Sequence, residues 1–208
     1  PYPHVPNKDL NNLSTLCYTS GTTGLPKGVR VTTRGLLEGL EGLRWCISDR
    51  ELVSISYLPL AHIYERGWET YVLYMGGSIG YFSGQIERLM EDLQILQPTV
   101  MPSVPRVLNR IAGQIQMQMD APGLKGKLLT KAVHAKLENY YKTGSVTHAL
   151  WDRLVFRKVR ALLGGHVGLI LTGSAPCRRD VLELLRIALC TDIREGYGQT
   201  ENNAYASI

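Results

Sequence analysis

The chain has 208 residues, 44% of them hydrophobic, enough apolar material for the core of one domain or slightly more. No apolar run reaches the roughly 18 to 20 residues that cross a bilayer, and Cys17, Cys46, Cys177 and Cys190 stand far apart with no CxxC pair, which excludes a disulfide framework or a zinc knuckle. The net charge of +5 is concentrated: Lys125, Lys127, Lys131, Lys136, Lys142, Arg153, Arg157, Lys158 and Arg160 face only Glu138 and Asp152 in that stretch.

In chain order, the proline-rich, polar opening PYPHVPNKDLNN reads as a linker within a longer chain. The runs 13–19 and 28–32 read as strands on either side of a polar, glycine-rich loop. Beyond them, short apolar runs bounded by Gly or Pro alternate with stretches of helical period, the pattern of α/β layers with mostly parallel strands and packed helices. Strands are expected at 52–58, 78–82, 99–101, 167–172 and 192–195. Ile63, Tyr64, Gly67, Trp68, Tyr71, Val72 and Met75 are spaced as one helical face. Ile86, Leu89, Met90, Leu93 and Leu96 form a second apolar stripe that Pro98 ends, and Val107, Leu108, Ile111, Ile115 and Met119 a third that Pro105 can start. The stretches 127–141 and 149–163 read as helices with basic outer faces, and 181–189, apolar nearly all round, as a buried helix. The cysteines are expected to be reduced thiols packed as small core residues of an intracellular protein.

The loop YTSGTTGLPKGV, from Tyr18 to Val29, carries chemistry. Gly21, Gly24 and Gly28 permit positive φ, and a turn built that way aims successive N–H groups into one concavity that suits an anion. Thr19, Ser20, Thr22 and Thr23 add hydroxyls, and Lys27 adds a cation beside Pro26. The natural ligand of such a loop is a polyphosphate. It is not a Walker loop: counting from Gly21, Pro26 stands where the second glycine belongs and Gly28 where the magnesium-binding hydroxyl belongs. A strand-like run comes next, so no helix N-terminus adds its dipole.

TSGTTGLPKG resembles the phosphate loop of the adenylate-forming superfamily of acyl-CoA synthetases, peptide-synthetase adenylation domains and luciferases. YLPLAHIYER, TGSAP and EGYGQTE come after it in that family's order. LPLAH with its aromatic and ER, LQPTVMPSVPRVLNRI and ALWDRLVFRKVRALLGG are similar, more narrowly, to long-chain acyl-CoA synthetases. The resemblance covers nearly the whole chain and implies that residues 1–208 are part of the large N-terminal AMP-binding domain. On that view, residues completing the acyl pocket precede it, and a ribose-gripping aspartate and a small C-terminal lid domain with a catalytic lysine come after it.

The activity so implied is long-chain fatty acid CoA ligase: ATP and a fatty acid give acyl-adenylate and pyrophosphate, and CoA then takes the acyl group. By that resemblance Thr19, Ser20, Gly21, Thr22, Thr23, Gly24 and Lys27 hold the β- and γ-phosphates, Glu201 ligates Mg2+, Thr200 meets the α-phosphate, and Tyr197 offers its ring to adenine. Gly173, Ser174, Ala175 and Pro176 let a planar base lie against backbone, and Glu195, Gly196, Gly198 and Gln199 complete the nucleotide contacts. His62 is placed beside the carboxylate and the thiol entrance; taken alone, it could equally be a capped or core imidazole. Arg66 would pair with a fatty carboxylate or with Glu65, and Trp68 belongs either to plain core or to the wall of an alkyl tunnel. Thr33 stands where relatives usually carry a histidine.

Arg153, Arg157 and Arg160, at i, i+4 and i+7, suit anionic lipid head groups or form a solvated face with a long-range pull on ATP and CoA; aromatic interleaving for base stacking is absent, which argues against nucleic acid. Two other functions are compatible with the residues: an adenylating domain serving a carrier-bound thiol, and an idle fragment that binds only nucleotide or a membrane surface. By resemblance the compartment is the endoplasmic reticulum or the peroxisome.

Overall fold

The computed structural model describes residues 9–20, 24–47 and 51–208, and its chain divides into two compact units. The first comprises Pro1–Arg50, Leu58–Tyr71 and Tyr197–Ile208; the second comprises Glu51–Tyr57 and Val72–Gly196.

In the first unit, β1 (Leu13–Thr19) and β2 (Lys27–Thr32) pair antiparallel, from Leu13↔Thr32 to Thr19↔Lys27, with a register irregularity between Leu13 and Thr15. The ribbon shows the alternation of a half-buried hairpin: Cys17 and Val31 point inward to meet Ile63, Leu36 and Ala204, while Leu16 and Tyr18 point outward. The Cys17 thiol donates to the carbonyl of Ala61 at 3.3 Å. Helix α1 (Thr33–Cys46) starts at the end of β2, its N-terminus capped by Thr32, whose hydroxyl accepts the Gly35 N–H at 3.1 Å. Sequence patterning alone does not indicate this helix, because Gly35, Gly39 and Gly42 weaken helix propensity; the buried residues Leu40, Leu43 and Ile47 nevertheless recur at helical spacing.

The second unit is a five-stranded parallel sheet ordered β4-β3-β5-β6-β7, where β3 is Val53–Ser56, β4 Ser78–Tyr81, β5 Val100–Ser103, β6 Leu169–Thr172 and β7 Asp192–Glu195. Its strands match the expected positions to within two or three residues at each end. Every residue of β5 and β6 is buried, the signature of a central parallel strand covered on both faces. Helix α2 (Ile63–Tyr74) runs from the first unit into the second. The sheet's other helices are α3 (Leu89–Leu96), α4 (Pro105–Asp120), α5 (Leu124–Thr143), the short α6 (Ala149–Trp151) and α7 (Arg157–Arg160), and α8 (Arg179–Leu189). Pro105 occupies the first turn of α4, and its stripe of Leu108, Ile111 and Ile115 is fully buried. Helix α8 buries Leu182, Leu185 and Ile187 to Leu189, in keeping with its composition. All four cysteines are free thiols, but only Cys17 is fully buried.

The basic stretch is where the structure departs most from the sequence reading. The helix expected over 149–163 is not uniform: α6 passes into a π-helical turn at Asp152–Phe156, then α7, then a 3-10 turn at Ala161–Leu163. A π turn inserts an extra residue into the helical period and rotates the side chains beyond it. Arg153 and Arg157 are therefore exposed, whereas Arg160 is half-buried with its guanidinium on the carbonyl of Gly165 at 3.1 Å. Lys136, expected on an outer face, is 1% exposed: its ammonium pairs with Asp152, lies 3.1 Å from the Cys190 sulfur and sits 4.6 Å from the centre of the Phe156 ring. An ammonium withdrawn from water needs such partners to offset its lost hydration.

Candidate functional site

The first unit gathers most of the chemistry. Lys27 opens β2 opposite Thr19, exposed and with no ion pair among the described residues, and the loop between them contains Ser20 and Gly24. Gly24 has φ +91° with open space around it, so it serves the backbone and not a close approach. Gly21, Thr22 and Thr23 lie outside the described residues. Gly28, expected to take positive φ, instead lies within β2 without it, and a Cβ there would meet the Tyr18 ring at 3.4 Å, an ordinary contact.

The EGYGQTE motif straddles the two units, with Glu195 and Gly196 in the second and Tyr197 onward in the first. Tyr197 and Ser207 form an antiparallel bridge, N–H to carbonyl at 2.9 and 3.1 Å, and a 3-10 turn at Thr200–Asn202 forms the tip of the loop so closed. Gln199 and Asn202 cap that turn reciprocally, the Gln199 N–H meeting the Asn202 side chain at 2.8 Å, and the Gln199 amide donates to the Tyr197 hydroxyl at 2.6 Å. Gly198 is obligatory: a Cβ on it would fall 1.5 Å from the carbonyl oxygen of Ala204. The turn bearing Thr200 and Glu201 packs against β2, the strand that Lys27 begins. Tyr197 and Glu201 are exposed and Thr200 is half-buried.

His62 immediately precedes α2. Its Nδ1 accepts the Tyr64 N–H at 3.2 Å, which in the neutral ring puts the proton on the exposed side, at Nε2. The capped-imidazole geometry and an outward-facing Nε2 are thus compatible. Arg66 is half-buried in the first turn of α2, next to a Glu65 that is fully buried. Trp68 is 1% exposed and packs on Tyr71 with ring centres 5.9 Å apart, a core side chain.

In the second unit, β6 and β7 end side by side at the carboxyl edge of the parallel sheet, the edge where open α/β sheets bind ligands. The Gly196 N–H donates to the Thr172 carbonyl at 2.8 Å, and Gly173 faces the Gly196 carbonyl so closely that a Cβ would reach 3.3 Å. Ser174 takes φ +72°, a left-handed conformation that a non-glycine residue adopts at a cost. Glu195 accepts the Cys177 N–H at 2.9 Å, so its carboxylate braces the turn containing Ala175 and Pro176. The Thr172 hydroxyl, in a residue 1% exposed, has no hydrogen-bond partner among the described residues. Motif matching does not single out that hydroxyl or the bracing role of Glu195; a threonine closing an otherwise apolar strand is the available signal.

Among the described residues no cluster of three or more His, Cys, Asp or Glu could cage a metal. Glu201 nonetheless fits Mg2+, which keeps most of its waters and takes one or two carboxylates together with substrate phosphates. Nor is any helix among them long and apolar enough to cross a membrane.

The family profile of AMP-binding enzymes matches residues 2–208. The chain belongs to that family. It is 41% identical over 202 residues to peroxisomal long chain acyl-CoA synthetase 6 of Arabidopsis thaliana, covering 95% of this chain and 28% of the relative. It is 45% identical over 202 residues to human long-chain-fatty-acid–CoA ligase 1, covering 93% and 28%. Among solved structures, the adenylation domain of a carboxylate reductase from Mycobacterium chelonae superposes with a TM-score of 0.72 at 26% identity, over 94% of this chain and 28% of that one. This AMP-binding chain thus spans less than a third of the length of the curated relatives it matches.

Proposed function

We propose that the chain is part of the adenylation domain of a long-chain fatty acid CoA ligase. The fatty carboxylate attacks the α-phosphorus of ATP, the bond to the bridging oxygen breaks and pyrophosphate leaves; the CoA thiol then attacks the acyl carbon and AMP leaves. The observation that carries this reading is the packing of the Thr200–Asn202 turn on β2, which joins the Lys27 strand and the Glu201 turn in one unit. A cation and a hard carboxylate carried by contacting elements of one unit suit a Mg2+-bound polyphosphate.

Lys27, with Thr19, Ser20, Gly24 and the three loop residues Gly21, Thr22 and Thr23, holds the β- and γ-phosphates. Thr200 donates to the α-phosphate. Glu201 would hold Mg2+, which when bound offsets the charge gathering on the leaving pyrophosphate. By the family resemblance, Gly173 to Pro176 and Glu195 to Gln199 contribute nucleotide contacts, with Tyr197 offering an exposed ring face to the base. His62 serves the acyl and thiol side, and Arg66 pairs either with the fatty carboxylate or with Glu65. The relatives named long-chain acyl-CoA ligases favour free CoA over a carrier-bound thiol as the acceptor.

Peripheral contact with an anionic membrane belongs to the same reading. Arg153, Arg157 and Lys158 are exposed alongside Leu150 and Leu154, 55% and 61% exposed, while Arg160 is occupied with Gly165. A peroxisomal or endoplasmic-reticulum location is consistent with it.

The test is palmitate-dependent exchange of pyrophosphate into ATP by the full-length chain with Lys27→Met and Glu201→Gln. Each change is expected to cut exchange by about a hundredfold, the scale of losing one electrostatic contact to a developing charge. Undiminished exchange in the doubly substituted chain refutes the reading.

A further inference from the structure

We infer that Tyr205 and Asn203 are positioning residues that lock the Thr200–Glu201 turn onto α1 and α2 and, through the Tyr64 peptide, fix the imidazole of His62. The inference rests on the ligase reading for its kinetic consequences and on geometry alone for the lock itself.

Past the turn, the backbone enters the left-handed region twice in succession, at Asn203 (φ +59°) and Ala204 (φ +78°). Asparagine tolerates that conformation and alanine does not readily, so the reversal persists only if its surroundings hold it. What holds it is a set of glycines inside helices. A Cβ on Gly35 would lie 2.7 Å from the Asn203 side-chain nitrogen, and one on Gly39 3.6 Å from the Asn203 Cβ. A Cβ on Gly67 would lie 2.9 Å from the Tyr205 ring. Glycine weakens a helix, and two such positions, Gly35 in α1 and Gly67 in α2, are explained by one visiting segment, while at Gly39 an added carbon would make only an ordinary contact.

Tyr205 then does more than fill the space over Gly67. Its hydroxyl donates to the Tyr64 carbonyl at 3.1 Å, and its ring meets the Tyr64 ring edge-on with centres 6.2 Å apart. Burial holds the Tyr205 phenol well above its usual range, with Tyr64 and Glu65 nearby pushing the same way, so it remains a donor at any working pH. The same residue, Tyr64, gives its N–H to Nδ1 of His62. A continuous path therefore runs from the Thr200–Asn202 turn through Ala204 and Tyr205 to the Tyr64 backbone and on to the His62 ring. Side chains proposed for the phosphate end and for the acyl and thiol end of the reaction share one mechanical mounting. The motif EGYGQTE stops before the residues that mount it.

The experiment uses the full-length chain with Tyr205→Phe, Gly67→Ala, Tyr205→Ala and the double substitution Tyr205→Ala with Gly67→Ala. Amide hydrogen exchange of residues 198–204 and 62–66 reads the lock without any reference to activity. Tyr205→Phe keeps the ring and loses the hydroxyl, and is expected to speed exchange in both segments about fivefold, the effect of one neutral hydrogen bond. The KM for ATP in pyrophosphate exchange should rise by a similar factor while the melting temperature hardly moves. Gly67→Ala should act in the same direction and more strongly, yet add nothing in the Tyr205→Ala background, because the ring it displaces is gone. Unchanged exchange and KM in Tyr205→Phe and Gly67→Ala, or additive losses in the double substitution, overturn the inference. A wild-type chain that performs no palmitate-dependent exchange refutes the ligase reading instead, and hydrogen exchange still decides the lock.

Discussion

Replacing Gly198 with alanine is the most severe single-methyl perturbation available at the site. The added carbon would stand 1.5 Å from the Ala204 carbonyl oxygen and 2.3 Å from its carbonyl carbon. Real Cβ contacts essentially never fall under 3.0 Å. One side of the loop must therefore retreat by about 1.5 Å, and both sides are backbone, which has no rotamer to turn away. The pairs most exposed to that movement are the Tyr197–Ser207 bridge and the Ala204 N–H to Gln199 carbonyl bond at 2.9 Å. At about 1 kcal/mol for each net hydrogen bond, losing two or three destabilises the loop by about 2 to 3 kcal/mol, enough to depopulate its ordered form locally. Thr200 and Glu201 move with the loop, and a misplacement of about 1 Å in a catalytic array costs about a hundredfold in rate. Palmitate-dependent pyrophosphate exchange by full-length Gly198→Ala is therefore expected to fall by two orders of magnitude or more. Global stability, read by thermal unfolding, should change little, because the second unit's sheet and helices are untouched. Exchange within threefold of wild type would refute the geometric reasoning.

The second unit yields two other expected outcomes. Asp152→Asn leaves the buried Lys136 ammonium without its counter-charge and should lower unfolding free energy by about 3 kcal/mol, whereas Lys136→Met, which removes the charge and keeps the bulk, should cost clearly less; denaturant titrations that reverse this order would show that the pair does not govern the site. Glu183 on α8 is held below the usual carboxylate range, first by the Tyr141 hydroxyl at 2.6 Å and then by Arg179 at 2.7 Å. A carboxyl depressed in the folded state stabilises fully above its unfolded value of about 4.3 and loses that contribution as pH falls through the folded value. The melting temperature should therefore drop on acidification below about pH 4, and Glu183→Gln should remove that part of the drop; an identical pH profile in the variant would count against the pairing.

Much of this protein was legible from residue order because its signals are local. The runs 13–19 and 28–32 on either side of a glycine-rich loop identified two strands, and the short apolar runs of β3, β5 and β6 identified parallel strands. The stripe Leu108, Ile111 and Ile115 behind Pro105 marked a helix from its first turn. The glycine-and-threonine loop pointed to a polyphosphate from its own residues, and the resemblance of its motifs to a known family proposed Lys27, Thr200 and Glu201 for the nucleotide. Helix α1 escaped because its glycines contradict local propensity; Gly35 answers to Asn203, far away in the chain. Gly28 was misassigned for a related reason, since a glycine in a loop motif does not announce whether its backbone turns, and the pairing of Gly28 with Tyr18 keeps it in the strand.

The sequence alone thus determined the order and kind of most elements, which depend on near neighbours along the chain. Tertiary structure decided which cations are surface and which are interior. Lys136 and Lys131 look alike in a helical period, yet Lys136 is the one that meets Asp152, Phe156 and Cys190. It also decided where Arg160 points, through a π turn that no periodicity announces. Most of all it decided that Tyr205 reaches across to Gly67 and the Tyr64 carbonyl, because contact between distant segments depends on how the whole unit closes on itself.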